Sequence, residues 1–151
     1  MSLPLRTGSV DVCFSSNALE HVPAPETMAD EMVRVTRPGG VIYLSYTNWL
    51  SPNGGHETGP WHLVLGGPRA AQRYARRQGH PPKNEFGRTL FAVSASRMIR
   101  WARQAAADGR VELLATEARY HPAFARGIVR VPGARELLSW NVLLVLRRSG
   151  P

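Results

Sequence analysis

Cysteine is nearly absent. The single Cys13 excludes an internal disulfide and a multi-cysteine zinc site. Lysine is just as scarce, with Lys83 alone beside eighteen arginines. That skew fits arginine-rich codon usage as readily as an anionic partner, so the net charge of +8 names no ligand by itself. No apolar run approaches the roughly 18 residues of a membrane-spanning helix. The first residues, Met1-Ser2-Leu3-Pro4-Leu5-Arg6-Thr7-Gly8, lack an apolar stretch of signal-peptide length, so a cytoplasmic, soluble protein is expected. No Gly-x-Gly follows a strand-like segment, which excludes a nucleotide phosphate loop of the dinucleotide-binding kind. There is no internal repeat.

What remains has ordinary globular composition. The 151 residues are 43% hydrophobic and 20% charged, enough for a single domain with a real core. Ser9–Ser16 carries Val10, Val12, Cys13 and Phe14, the pattern of a buried strand. Pro23 and Pro25 mark a helix start, and Met28, Met32, Val33 and Val35 recur at helical spacing. Arg37-Pro38-Gly39-Gly40 ends that helix and turns the chain into a second strand, Val41–Tyr46. Strand, crossover helix and strand at this spacing predict a βαβ unit with parallel strands.

Residues 48–90 interrupt the pattern and hold seven of the fourteen glycines. Within them Pro68–Gln78 reads as a short helix, with Arg69, Arg73, Arg76 and Arg77 on one face. Ser94 is a good N-cap for a helix through about Asp108, ended by Gly109. Val111–Tyr120 resembles a strand, and Trp140–Leu146 is a strongly apolar last strand whose Trp140, Leu143 and Leu146 read as core. The last two strands are expected to pair antiparallel. Cys13 reads as a small core residue.

Four motifs stand in a familiar order. They are Leu3-Pro4, the strand Ser9-Val10-Asp11-Val12, the run Ser16-Asn17-Ala18-Leu19-Glu20-His21-Val22, and Val33-Arg34-Val35-Thr36-Arg37-Pro38-Gly39-Gly40. Together they resemble class I S-adenosylmethionine-dependent methyltransferases, more narrowly the type 11 group, tightly over residues 3–47. Gly54-Gly55-His56-Glu57 and Gly79-His80-Pro81 resemble a subgroup of those enzymes. The resemblance implies an α/β fold with a Rossmann-like sheet of seven strands in the order 3-2-1-4-5-7-6. This chain would supply strands four to seven, as a single N-terminally truncated domain over residues 1–151 with residues 48–90 as an insertion or lid. The glycine-rich loop and ribose-holding acid of the first strands have no counterpart here. The first strand of the chain would then be an open, apolar sheet edge, prone to self-association.

The resemblance also assigns residues. It implies S-adenosyl-L-methionine as cofactor, with Leu3 near the adenine and Ser16, Asn17, Glu20 and His21 near the methionine part. Each has a plainer reading: Leu3 as packing, Asn17 as a loop-shaping residue, and Glu20 and His21 as a solvated acid and a bonded loop histidine. His21 is also a candidate base, because histidine titrates near neutrality. Tyr46, Asn48, Trp49 and His56 follow the second strand and could wall a small-molecule acceptor pocket, or lie in the core. His56, Glu57 and His62 have metal-ligand chemistry without a fixed geometry or a fourth ligand, so no metal is assigned. The arginine face could grip a phosphate or carboxylate, or be a solvated helix face. Three readings compete: a methyltransferase, an inactive or partner-dependent fragment of one, and a basic nucleic-acid-binding module. The last rests on charge alone, and a salt titration of nucleic-acid affinity separates it from the others.

Overall fold

In the computed structural model, which describes residues 2–150, the first apolar run forms β1 (Val10–Ser16) and the next forms β2 (Thr36–Thr47), parallel to it. Helix α1 (Pro25–Val35) joins them, with Pro25 in its first turn, where a missing N–H costs nothing. Strands β3 (Val111–Ala118) and β4 (Asn141–Arg148) complete a sheet in the order β1-β2-β4-β3, with β4 antiparallel to both neighbours. The parallel pair and the antiparallel pair are both as expected. The order is the one the resemblance implies for strands four to seven.

The start of β2 differs from the sequence reading. Its pairing with β1 jumps from Val10 opposite Thr36 to Val12 opposite Val41, so Arg37-Pro38-Gly39-Gly40 bulges out of the ladder. Gly39 takes a φ of 77° there, and a Cβ on Gly40 would lie 2.7 Å from the Asp11 carbonyl oxygen. The turn was foreseen, but not that it interrupts a strand already begun.

Alternation along the strands builds the core. Ile42, Leu44 and Tyr46 of β2 and Val142, Leu144 and Leu146 of β4 are buried on one face. Helix α3 (Ala95–Ala107) covers them with Met98, Ile99, Ala102 and Ala105, and α1 adds Ala29, Met32 and Val33. The Ser94 side chain accepts from the Arg97 amide and caps α3, and Gly109 leaves it at a φ of 71°. Trp101 Nε1 donates to Asp30 at 3.0 Å, which ties α3 to α1. Cys13 packs half-buried against this core, and burial raises its thiol pKa. Trp140 does not join the core. The strand begins one residue later, so the alternation does not reach Trp140, which is 46% exposed and lies against His121.

Helix α2 (Trp61–Gln78) bends at Gly66, where φ is 74° and ψ 163°. Its second half is the helix expected from Pro68. Its first half was hidden by Gly66-Gly67-Pro68, which reads as pure punctuation. A 3-10 segment, Ala123–Arg130, and a short helix α4 (Ala134–Leu138) fill the stretch before β4. On the sheet face away from α1 and α3, Val12 is 60% and Phe14 64% exposed.

Candidate functional site

The carboxyl ends of β1 and β2 lie side by side. Ser16 is paired with Ser45, and the Asn17 amide donates to the Ser45 carbonyl at 2.9 Å. Asn17 then turns with a φ of 51°, a conformation asparagine tolerates. Its Nδ2 donates to the Tyr120 hydroxyl at 3.2 Å, and its Oδ1 accepts from Asn141 Nδ2 at 2.7 Å. Arg119 Nη1 donates to Ser16 Oγ at 2.6 Å and Ser45 Oγ at 2.9 Å. Its guanidinium stands 5.5 Å from the Tyr43 ring and 5.1 Å from the Tyr120 ring. Among the described residues, no carboxylate forms an ion pair with it. The sequence reading passed over Arg119, Tyr120 and Asn141. They reach Ser16 and Asn17 from more than a hundred residues away, and only their place at the ends of β3 and β4 hints at a role.

The next turn carries Glu20 and His21. Glu20 is 1% exposed, and its Oε1 accepts from the Thr47 amide at 3.1 Å. Its Oε2 has no partner among the described residues. His21 Nδ1 meets the Thr89 carbonyl, which leaves Nε2 as the free ring nitrogen. The His56 ring lies 5.3 Å from the His21 ring, with its Nε2 buried and also unpartnered. Burial pushes the His56 pKa down, against an upward pull from Glu20. Ser16, Asn17, Glu20 and His21, expected from the sequence at a cofactor, are therefore contiguous, and His56 adjoins them.

Leu3 stands apart. Its amide donates to Glu31 at 2.7 Å and its carbonyl accepts from Arg34 at 3.3 Å, in the strap that leads into the opposite end of β1. Hydrogen bonds from Arg34 and the Leu3 amide hold the Glu31 carboxyl at about 2, so this tie persists through neutral and mildly acidic solution.

The residues expected to wall an acceptor pocket behave differently. Tyr46 is fully buried under α3, with its hydroxyl donating to the Ser94 carbonyl at 3.3 Å and its pKa raised by burial. Asn48 is fully buried and bonded to three separate segments, at Leu50, at Ala95 and at residues 135–139. Neither presents a free face. Trp49 is packed between the rings of His62 and Phe86, each 4.8 Å away. The trio of His56, Glu57 and His62 does not assemble. His62 turns inward to the Trp49 carbonyl at 2.8 Å, while exposed Glu57 accepts from Asn84 at 2.9 Å. The glycine pair explains this order. A Cβ on Gly54 would lie 2.1 Å from the Trp49 carbonyl oxygen, and one on Gly55 2.4 Å from His62 Nδ1. Arg69, Arg73, Arg76 and Arg77 line a shallow groove along α2, where Arg73 sits 4.0 Å over Trp61.

The chain is similar to known proteins in sequence and in fold. Residues 1–44 match the family model described as a methyltransferase domain. The chain is 57% identical over 146 residues to a Mycolicibacterium gilvum protein named an uncharacterized methyltransferase, covering 97% of this chain and 55% of that protein. A Mycobacterium bovis protein of the same name is 53% identical over 146 residues, again with 97% and 55% covered. The chain thus spans about half the length of the curated relatives it matches. Its fold resembles an S-adenosylmethionine-dependent methyltransferase from Mesorhizobium loti, with a TM-score of 0.59 at 17% identity over 97% of this chain and 65% of that one. A SAM-dependent methyltransferase from Methanosarcina mazei gives 0.52 at 14% identity, over 99% and 64%. Identities this low speak for the fold alone, while the family model and the relatives make the chain similar in sequence to methyltransferases.

Proposed function

We propose that this chain forms the acceptor-side part of an S-adenosylmethionine-dependent methyltransferase acting on a small molecule. The gathering of Ser16, Asn17, Glu20 and His21 at the carboxyl ends of two parallel strands carries this reading, since open α/β sheets bind ligands there. The residues present suit the methionine end of the cofactor. Arg119, free of acidic partners among the described residues, would meet its carboxylate, and the exposed Asn17 amide would meet its polar groups. When bound, the cofactor supplies a methyl group on a sulfonium. The protein's task is then to hold the acceptor in line with it. Residues 48–90 would cover the acceptor. Both ends of that segment reach the same turn, through His56 beside His21 and through Thr89 on His21 Nδ1.

Calorimetric titration with S-adenosylhomocysteine tests the proposal. Saturable binding in the micromolar range, about −8 kcal/mol, is expected. Asn17→Gly keeps the left-handed backbone accessible while removing the amide, and should weaken binding about tenfold. An absence of heat at millimolar ligand contradicts the reading.

A further inference from the structure

We infer that Glu20, His21 and His56 form a binding site for a single divalent transition-metal ion. One ligand atom from each lies within 4.8 Å of the other two. Two imidazoles and a carboxylate make a donor set suited to Zn²⁺ and its first-row neighbours, with a position left open for water or another oxygen. Bonds of about 2.0–2.2 Å place tetrahedral ligand atoms about 3.4 Å apart, so the site closes with side-chain shifts of about 1 Å.

Several features of the cluster point to a cation. A carboxylate oxygen buried without a partner is costly, and Glu20 Oε2 is one, on a residue only 1% exposed. His56 Nε2 is a second buried, unpartnered atom in the same cluster. The remaining contacts resemble the outer support of metal ligands. The Thr89 carbonyl fixes the ring of His21 through Nδ1, and the Thr47 amide holds the other oxygen of Glu20. His56 also adopts a φ of 50°, an unusual backbone for a non-glycine residue that turns its ring towards the pair. The site shares Glu20 and His21 with the proposed donor site, but a metal titration without methyl donor can fail or succeed independently of that reading. The sequence did not reveal it. His56 was grouped with Glu57 and His62, its neighbours along the chain, whereas its partners in space lie 35 residues earlier.

The test uses the tag-free chain, stripped with a chelator and titrated with Co²⁺ and then Zn²⁺ in the absence of any methyl donor. The expected result is saturation at one equivalent, with visible Co²⁺ absorption that Zn²⁺ displaces. His56→Gln and Glu20→Gln should each weaken binding at least tenfold. Glutamine at 20 keeps an acceptor for the Thr47 amide, and half-buried His56 can be replaced with the fold intact by circular dichroism, so the His56 variant decides the matter if the other misfolds. Exposed His80→Gln should bind as the parent does. Binding no tighter than about 1 mM, or binding that His56→Gln leaves unchanged, overturns the inference.

Discussion

Asn48→Ala is expected to destabilise the fold strongly rather than alter an acceptor pocket. Asn48 Nδ2 donates to the carbonyls of Arg135, Glu136 and Ser139 at 3.2, 2.6 and 3.1 Å. Its Oδ1 accepts from the amides of Leu50 at 3.4 Å and Ala95 at 3.1 Å. One fully buried side chain thus joins the end of β2 to the start of α3 and to the α4 segment. Alanine leaves several of these buried groups unpaired, each costing roughly 1–3 kcal/mol. A total of about 4 kcal/mol is a large share of the 5–15 kcal/mol typical of a domain. The melting temperature should fall by about 10 °C, read by calorimetry or circular dichroism. Asn48→Asp should be no better, because it turns an acceptor towards three carbonyl oxygens. A variant with parental stability and altered ligand binding would restore Asn48 to the acceptor pocket.

The second large effect concerns the edge of the sheet. Strand β1 pairs with β2 on one side only, among the described residues, and Val12 and Phe14 stand beside the open edge at 60% and 64% exposure. Phe14 stacks on Tyr43 at 4.8 Å, which extends the apolar surface across β2. Unpaired backbone groups next to exposed apolar side chains recruit another strand. Light scattering should therefore show a mass that rises with concentration above the 16.7 kDa of one chain. The pair Val12→Lys and Phe14→Lys should move that onset at least tenfold higher, because charge at an edge opposes pairing. A monomer that persists at high concentration without the lysines contradicts this.

Local signals carried much of the fold. The β-branched run at Val10, the proline start and apolar spacing of α1, and the Ser94 cap of α3 each act within a few residues, so each is legible in sequence. The first half of α2 was not, because Gly66-Gly67-Pro68 breaks the pattern although the chain re-enters a helix. In the site, Ser16, Asn17, Glu20 and His21 follow one another and were found together. Tyr46 stayed open between pocket and core in the sequence because its side of β2 depends on packing under α3, which the local sequence does not reveal. Arg119 and Asn141 escaped notice because only the sheet order brings β3 and β4 to the ends of β1 and β2.

The most direct test of the account is to locate, by amide nuclear magnetic resonance, where S-adenosylhomocysteine binds on the isotopically labelled chain. Saturable shifts are expected at Ser16, Asn17, Glu20 and His21, spreading to Ser45, Arg119 and Asn141, with α3 silent. Shifts confined to the arginine groove of α2 between Arg69 and Arg77, or none at millimolar ligand, would contradict a donor site at the carboxyl ends of β1 and β2.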